Sequence, residues 1–422
     1  MVITMNSIKE PIVRLLSTGY APNLEMPDDC KFHIFVMSHV WATGQAKTHA
    51  IARKLVLFLP RLKVWLDVDH ADANPDLERA VMEAAFFVLF YSEGYFRSMD
   101  CKREIYAAIK MEKPIILLYE GNDTDLQNLK IECRANCIEE PCSGVILEHI
   151  FKAAPICWLD GVSFSAAALN RIFIRLLHHL PFYQDEQKEL LENGVKVPGE
   201  IDHGTFALPS PVNLLVCDSN VGVLAIAEEV QTLLPQRQVN ISIIPHNNAL
   251  ISTLRTPGSL QEDDSVESWD EIGPAHFDQP DESDLSSFSE RLPHDKRKHF
   301  VLLYLNKDVF LDDDKTVKDI IITALDRKIE IILVHEQETS NGACDFYEYF
   351  KQAPQKLVDP PYQLFDEFAV PLYAAEEYRR VSLHHIKTRM GGESINDQKG
   401  CHGMVTSLLK GHPAQAYAAL QN

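Results

Sequence analysis

One stretch constrains the fold of this chain more than any other: residues 87–120, FVLFYSEGYFRSMDCKREIYAAIKMEKPIILLYE. It grows out of an apolar run, 85–90, that is short and bounded, as a buried strand is. A polar turn with Gly94 follows. A helix is then predicted from Ser98 or Asp100, either of which can accept a hydrogen bond from the free N–H groups of the first turn. Cys101, Ile105, Ala108 and Ile109 share one face of it, and a second apolar strand, 115–119, follows Pro114. Strand, helix and strand in so few residues make a βαβ unit, with parallel strands in a buried sheet. Glu104 stands one turn inside the helix, at the end of the sheet where such folds bind ligands.

The flanking sequence extends the alternation. Residues 33–38, HIFVMS, read as the first strand, with a polar turn HVWATGQ after it. A helix is expected over 45–59, with Ile51, Leu55 and Phe58 at helical spacing and Pro60 as its stop. The second strand, 62–68, runs into an acidic loop of Asp67, Asp69, His70 and Asp72, and a short helix, 76–83, leads into the central stretch. A fifth strand is predicted over 155–159 and a last helix over 165–180. Five strands alternating with helices give an α/β fold, a flavodoxin-like parallel sheet with helices on both faces. Residues 1–31 carry Pro11, Pro22 and Pro27 with little periodicity and read as a loosely attached arm.

The second half repeats the first, so two such five-stranded sheets are expected. AIAEEVQTLLP at 225–235 lies on AIARKLVLFLP at 50–60, an offset of 175. NLLVC at 213–217 stands where HIFVM stands, and FVLLY at Phe300 matches FVLFY at Phe87, an offset of 213. From the third helix onward the offset is 216, laying ALDRKIEIILVHE on AIKMEKPIILLYE and Pro371 on Pro155. The domains are therefore drawn as 32–182 and 211–390, with a linker at 183–210 and a tail at 391–422. The jump of 38 between the second and third strands marks an insertion at 256–296, rich in Ser, Asp, Glu and Pro. Such a composition buries too little apolar surface to offset its ordering entropy, and disorder is expected there. The repeat keeps the core and loses the polar positions. Cys101 maps to Val317, Glu104 to Ile320, and Ser38-His39 to Asp218-Ser219.

Charge narrows the partners. The net charge is −21, and eleven acids with no Lys or Arg fall between Glu262 and Glu290, leaving about −10 for the rest. A nucleic-acid partner, which needs a basic patch, is not expected. Lys9, Glu10 and Arg14 interrupt the start of the chain, and no apolar run reaches the length of a membrane span. A cytoplasmic protein with no membrane partner is the expectation. The nine cysteines show no CxxC pair and read as reduced thiols. Cys133, Cys137 and Cys142 lie close together without a His to complete a zinc-like set, so no metal is assigned.

Four ordered blocks, HIFVMSHVWATGQ, VWLDVDHAD, VLFYSEGYFRSMDCKREI and KPIILLYE, resemble the TIR (Toll/interleukin-1 receptor homology) domain over residues 32–182. The likeness is greatest to the divergent TIR-like domains of algae and protists, and the second half resembles a degenerate TIR-like repeat. The family's C-x-x-E-[IL] block is met by Cys101, Glu104 and Ile105. In members that cleave NAD+ the Glu of that block is catalytic, which implies Glu104. Ser38, His39 and Trp41 end the first strand and Asp67 the second, at the ligand end of the sheet, and with Cys101 of the family's block they are the candidate substrate-binding residues; the resemblance implies NAD+ as substrate and no separate cofactor. One position departs: active members usually place an aromatic four residues before the Glu, and this chain has Asp100.

Cleaving the nicotinamide–ribose bond needs little machinery. The leaving group is a cation that departs neutral, so no general acid is required, and one carboxylate can stabilise the oxocarbenium-like ribose. Glu104 suits that role, or is a helix residue pairing with Lys102, Arg103 or Lys110. Trp41 can stack on a nicotinamide or adenine ring, or seal the edge of the core. His39 orders its loop rather than titrating. Asp67 can bind a ribose hydroxyl or cap a loop, and Lys47 and Arg53 can meet diphosphate or face solvent. Neither a P-loop nor a G-x-G-x-x-G fingerprint is present. Two functions follow. One is an NAD+ nucleosidase of TIR signalling and innate-immunity type, acting on self-association. The other is a non-catalytic adaptor that binds other TIR domains.

Overall fold

The computed structural model describes residues 12–65, 77–121, 123–138, 141–184, 187–201, 206–244, 297–311 and 316–394. The chain forms two compact units, 1–201 and 202–422. The insertion at 256–296, expected from composition to be disordered, lies outside the described residues, as do most of the tail and Asp67.

The first unit is built on five parallel strands, β1 (Phe32–Ser38), β2 (Val64–Trp65), β3 (Ala84–Tyr91), β4 (Ile115–Tyr119) and β5 (Ile156–Cys157). They lie in the order β2-β1-β3-β4-β5, with β1 paired to both β2 and β3. This is the flavodoxin-like order, in which the strand order reverses beside β1 and leaves a crevice at the carboxyl ends of the strands. Side chains alternate across β3. Phe86, Val88 and Phe90 pack under α1 (Trp41–Phe58) and, further on in the chain, the helix Val162–His179. Phe87, Leu89 and Tyr91 pack on the other face, under α2 (Leu77–Met82), α3 (Met99–Lys110), α4 (Asp123–Asn136) and α5 (Ser143–Ile150). Val162–His179 is α6.

Three expectations are corrected. First, α1 begins at Trp41, not near Gln45. Val40 offers no side-chain cap to announce the start, and the polar Thr43-Gly44 pair, read as a turn, is its first turn, with Gly44 N–H donating to the Val40 carbonyl. Second, the arm is docked from residue 12 onward. Val13 is 0 % exposed, and Arg14–Leu15 forms a short antiparallel ladder with Val195–Lys196. Third, 183–210 is not a bare linker. Tyr183, Leu191, Val195 and Val197 join the core of the first unit, and Phe206 and Leu208 that of the second. Each buried apolar side chain of this size contributes about 1.5–3 kcal/mol, enough to hold the segments against their units.

The second unit repeats the plan with β6 (Val212–Cys217), β7 (Val239–Ile244), β8 (Lys298–Leu305), β9 (Glu330–Glu336) and β10 (Val370–Leu372), ordered β7-β6-β8-β9-β10 and all parallel. Its longer helices among the described residues are α7 (Val223–Thr232), α8 (Thr316–Asp326), α9 (Phe346–Gln352) and α10 (Glu376–Arg389). Phe300, Leu302 and Tyr304 lie under α7 and α10, while Val301, Leu303 and Leu305 lie under α8 and α9. That parity fixes the offset of the third strand at 214, from Ala84 to Lys298, and not at the 213 that matches FVLFY to FVLLY. A slip of one residue would exchange the faces of the whole strand. The fifth strand is also offset by 214: Leu118 pairs with Ile156 and Val334 with Val370, so Pro371 does not fall on Pro155.

Candidate functional site

The carboxyl end of β1 is where the first unit brings its polar groups together. Phe35 pairs with Phe87, but Ser38 pairs with Leu89, three steps on β1 against two on β3. Such an irregularity re-aims the side chains beyond it. The Ser38 side chain is buried, with Oγ 2.5 Å from the hydroxyl of Tyr95. Tyr95 is 0 % exposed and opens a single helical turn, Tyr95–Arg97. Gly94 precedes it in the left-handed region, φ 93°, where a side chain would be strained. Glu132 of α4 fixes this turn by accepting hydrogen bonds from Gly94 N–H (3.0 Å) and Phe96 N–H (2.7 Å).

Ser98 is the cap of α3, its side chain accepting from Cys101 N–H at 3.4 Å. Cys101 is buried and its thiol donates to the His39 carbonyl at 3.3 Å. Burial pushes that thiol up to about 11, and the nearby charge of Glu104 adds to the rise. A thiol so placed stays protonated at neutral pH and is no nucleophile. Burial likewise raises Tyr95 well above the ordinary phenol value, with Cys101 and Glu104 contributing. Glu104 is half-buried, one turn along α3 from Cys101. The structure thus brings Ser38, Cys101 and Glu104 near Tyr95, with the His39 carbonyl bonded to Cys101.

The other predicted residues fall differently. Trp41, first in α1, is 62 % exposed, so it does not seal the core. Lys47 is bonded to Glu120 at 2.8 Å and Asp160 at 2.7 Å. Burial lowers its pKa, but the hydrogen bonds from Asp160 and Glu120 outweigh that and the net direction is up. A diphosphate would have to displace both carboxylates. Arg53 is exposed. Asp100 is exposed and lies 3.9 Å from Arg103. Cys133 and Cys137 are buried and Cys142 is exposed; among the described residues no three His, Cys, Asp or Glu groups are placed to hold a metal. In the second unit a cleft of about 200 Å³ opens against Ile331, Leu364 and Arg389.

Tyr95 and Glu132 are the residues that sequence reasoning passed over. A signal for the first exists: a turn that is merely polar does not carry the aromatic pair Tyr95-Phe96. In the second unit Val317 and Ile320 are buried in the core, where the first has Cys101 and Glu104. No helix among the described residues is long and apolar enough to cross a membrane. No protein-family model matches the chain, and no curated protein matches it in sequence.

Proposed function

We propose that residues 32–182 act as a TIR-like domain that cleaves the nicotinamide–ribose bond of NAD+, in a cytoplasmic signalling protein that works by self-association or by binding other TIR domains. The supporting observation is the placement of Glu104, half-buried on α3 at the carboxyl end of the sheet and grouped with Ser38 and Cys101. The same helix of the second unit presents Ile320, 1 % exposed. With Cys101 and Tyr95 kept neutral by burial, the carboxylate of Glu104 is what this cluster offers to a cationic ribose. Nicotinamide leaves without needing a proton, and water then takes the ribosyl carbon. Incubating the full chain with NAD+ at rising protein concentration, followed by chromatography, should show nicotinamide release that climbs steeply with concentration. Intact NAD+ at every concentration overturns the reading.

A second reading has its own support. Trp41 and Met99 are 62 % and 67 % exposed at this end of the sheet, and Asp100 stands where the family has an aromatic. Exposed apolar side chains of this size suit a protein partner. On the adaptor reading, Trp41→Ala and Met99→Ala weaken self-association in sedimentation, and the wild-type chain leaves NAD+ intact.

A further inference from the structure

Tyr95 is fully buried, so its hydroxyl cannot turn to bulk water and needs a protein partner. That partner is Ser38, at 2.5 Å. Cys101 gives its thiol proton to the His39 carbonyl and keeps its sulfur lone pairs as acceptors. Ser38 and His39 are neighbours in the chain, so the Tyr95–Ser38 and Cys101–His39 bonds form a two-bond strut between the Tyr95–Cys101 stretch and the end of β1. One end is fastened from outside by Glu132, through Gly94 and Phe96 N–H. The other end is the loop that leads into Trp41. A phenylalanine at 95 would fill the same apolar space between its neighbours but could not bond to Ser38.

We infer that Tyr95 is a positioning residue: its bond to Ser38, beside that of Cys101 to His39, makes a two-bond strut that sets the helix carrying Glu104 against the loop carrying Trp41. The strut spans two elements distant in sequence, the end of β1 and the entry of α3, across the crevice end of the sheet. Its consequence for turnover rests on the proposed role of Glu104, whereas the strut itself does not.

The test compares wild type, Tyr95→Phe, Ser38→Ala and the double variant in the full chain, with two readouts. The first is steady-state NAD+ cleavage. Loss of positioning should lower kcat by roughly ten- to a hundredfold while KM stays within about twofold, because a misplaced carboxylate acts on the transition state more than on binding. The double variant should lose no more than the worse single one, as the two partners of one hydrogen bond do. The second is alkylation of Cys101 by iodoacetamide, read by mass spectrometry, in which the thiol is protected in wild type and labelled in each variant. Additive losses, or unchanged kcat with Cys101 still protected, overturn the inference. If wild type leaves NAD+ intact, the enzymatic reading fails alone, and Cys101 labelling decides the strut. Should Tyr95→Phe not fold, Ser38→Ala makes the same test.

Discussion

In the second unit the hydroxyl of Tyr304 donates to Oε2 of Glu336 at 2.5 Å, and that carboxylate is 1 % exposed. Oε1 accepts from the backbone N–H of Gln337 at 3.0 Å and of Glu338 at 2.8 Å. Asn220 clamps the same strand end, accepting from Tyr304 N–H and donating to its carbonyl. Gly222, φ 94°, allows the approach, since a Cβ there would lie 2.9 Å from the Tyr304 ring. The first unit has Phe90 and Glu120 at these places, and Glu120 reaches outward to Lys47. The end of the sheet that holds the candidate site in one unit is thus filled by a satisfied internal network in the other.

Tyr304→Phe should therefore destabilise the second unit. A buried carboxylate would lose its phenolic donor, which costs about 2–3 kcal/mol for a hydrogen bond to a charged group. Urea denaturation should show that loss. NAD+ turnover, if present, should be unchanged, because nothing in the first unit is altered.

Two histidines predict an acid-sensitive fold. His33 is buried; its Nδ1 accepts from Lys63 N–H at 2.9 Å and its Nε2–H donates to the Leu24 carbonyl at 3.0 Å. His335 repeats the arrangement, accepting from Gln337 at 2.9 Å and donating to the Cys344 carbonyl at 3.0 Å. Both need the neutral ring, and burial lowers both pKa values despite the backbone hydrogen bonds. A depressed histidine favours the folded state fully above its unfolded value of about 6.5, and that stabilisation is lost as pH falls from there towards the folded value. The melting temperature should fall with pH below about 6.5. His33→Gln should flatten part of that slope; an unchanged profile in both His33→Gln and His335→Gln would rule out these groups.

Ile320→Glu restores a carboxylate to the second unit and should create no NAD+ cleavage. The side chain it replaces is 1 % exposed among Val317, Ile321 and Leu333. An unpaired charge there costs several kcal/mol, so denaturation should show a strongly destabilised unit. A stable variant, or new turnover that survives Glu104→Gln, would contradict this.

The alternation of strands and helices was legible because buried strands and amphipathic helices have distinct lengths and spacings, and the strand order follows from parallel pairing. The register of β8 was not. Both faces of a central parallel strand are buried, so FVLFY and FVLLY carry no period-two alternation to say which residue faces which helix. The docking of Val13 and Leu15 depends on Val195, some 180 residues later, and no local pattern announces it. The candidate site divides the same way. Ser98, Cys101 and Glu104 sit on a helix with a visible cap and spacing. Tyr95 is buried because Glu132, 36 residues beyond Phe96, satisfies the turn that holds it.

The decisive substitution is Glu104→Gln. Gln keeps the size and much of the hydrogen-bonding capacity of Glu but not the charge that stabilises a cationic ribose. A carboxylate acting on charge that develops in the transition state is worth roughly 3–4 kcal/mol, a loss on the order of a hundred- to a thousandfold in turnover. Glu104 is half-buried on a helix whose core face is Cys101, Ile105 and Ala108, so the melting temperature should stay close to wild type. A structural Glu104 gives the reverse pattern, a shift in stability with turnover intact. Asp100→Trp should raise activity if an aromatic beside the site helps to line the nicotinamide pocket; Asp100 is exposed and can be replaced without disturbing the core. Equal turnover in Glu104→Gln and wild type, measured at matched protein concentration, would exclude the carboxylate from the chemistry.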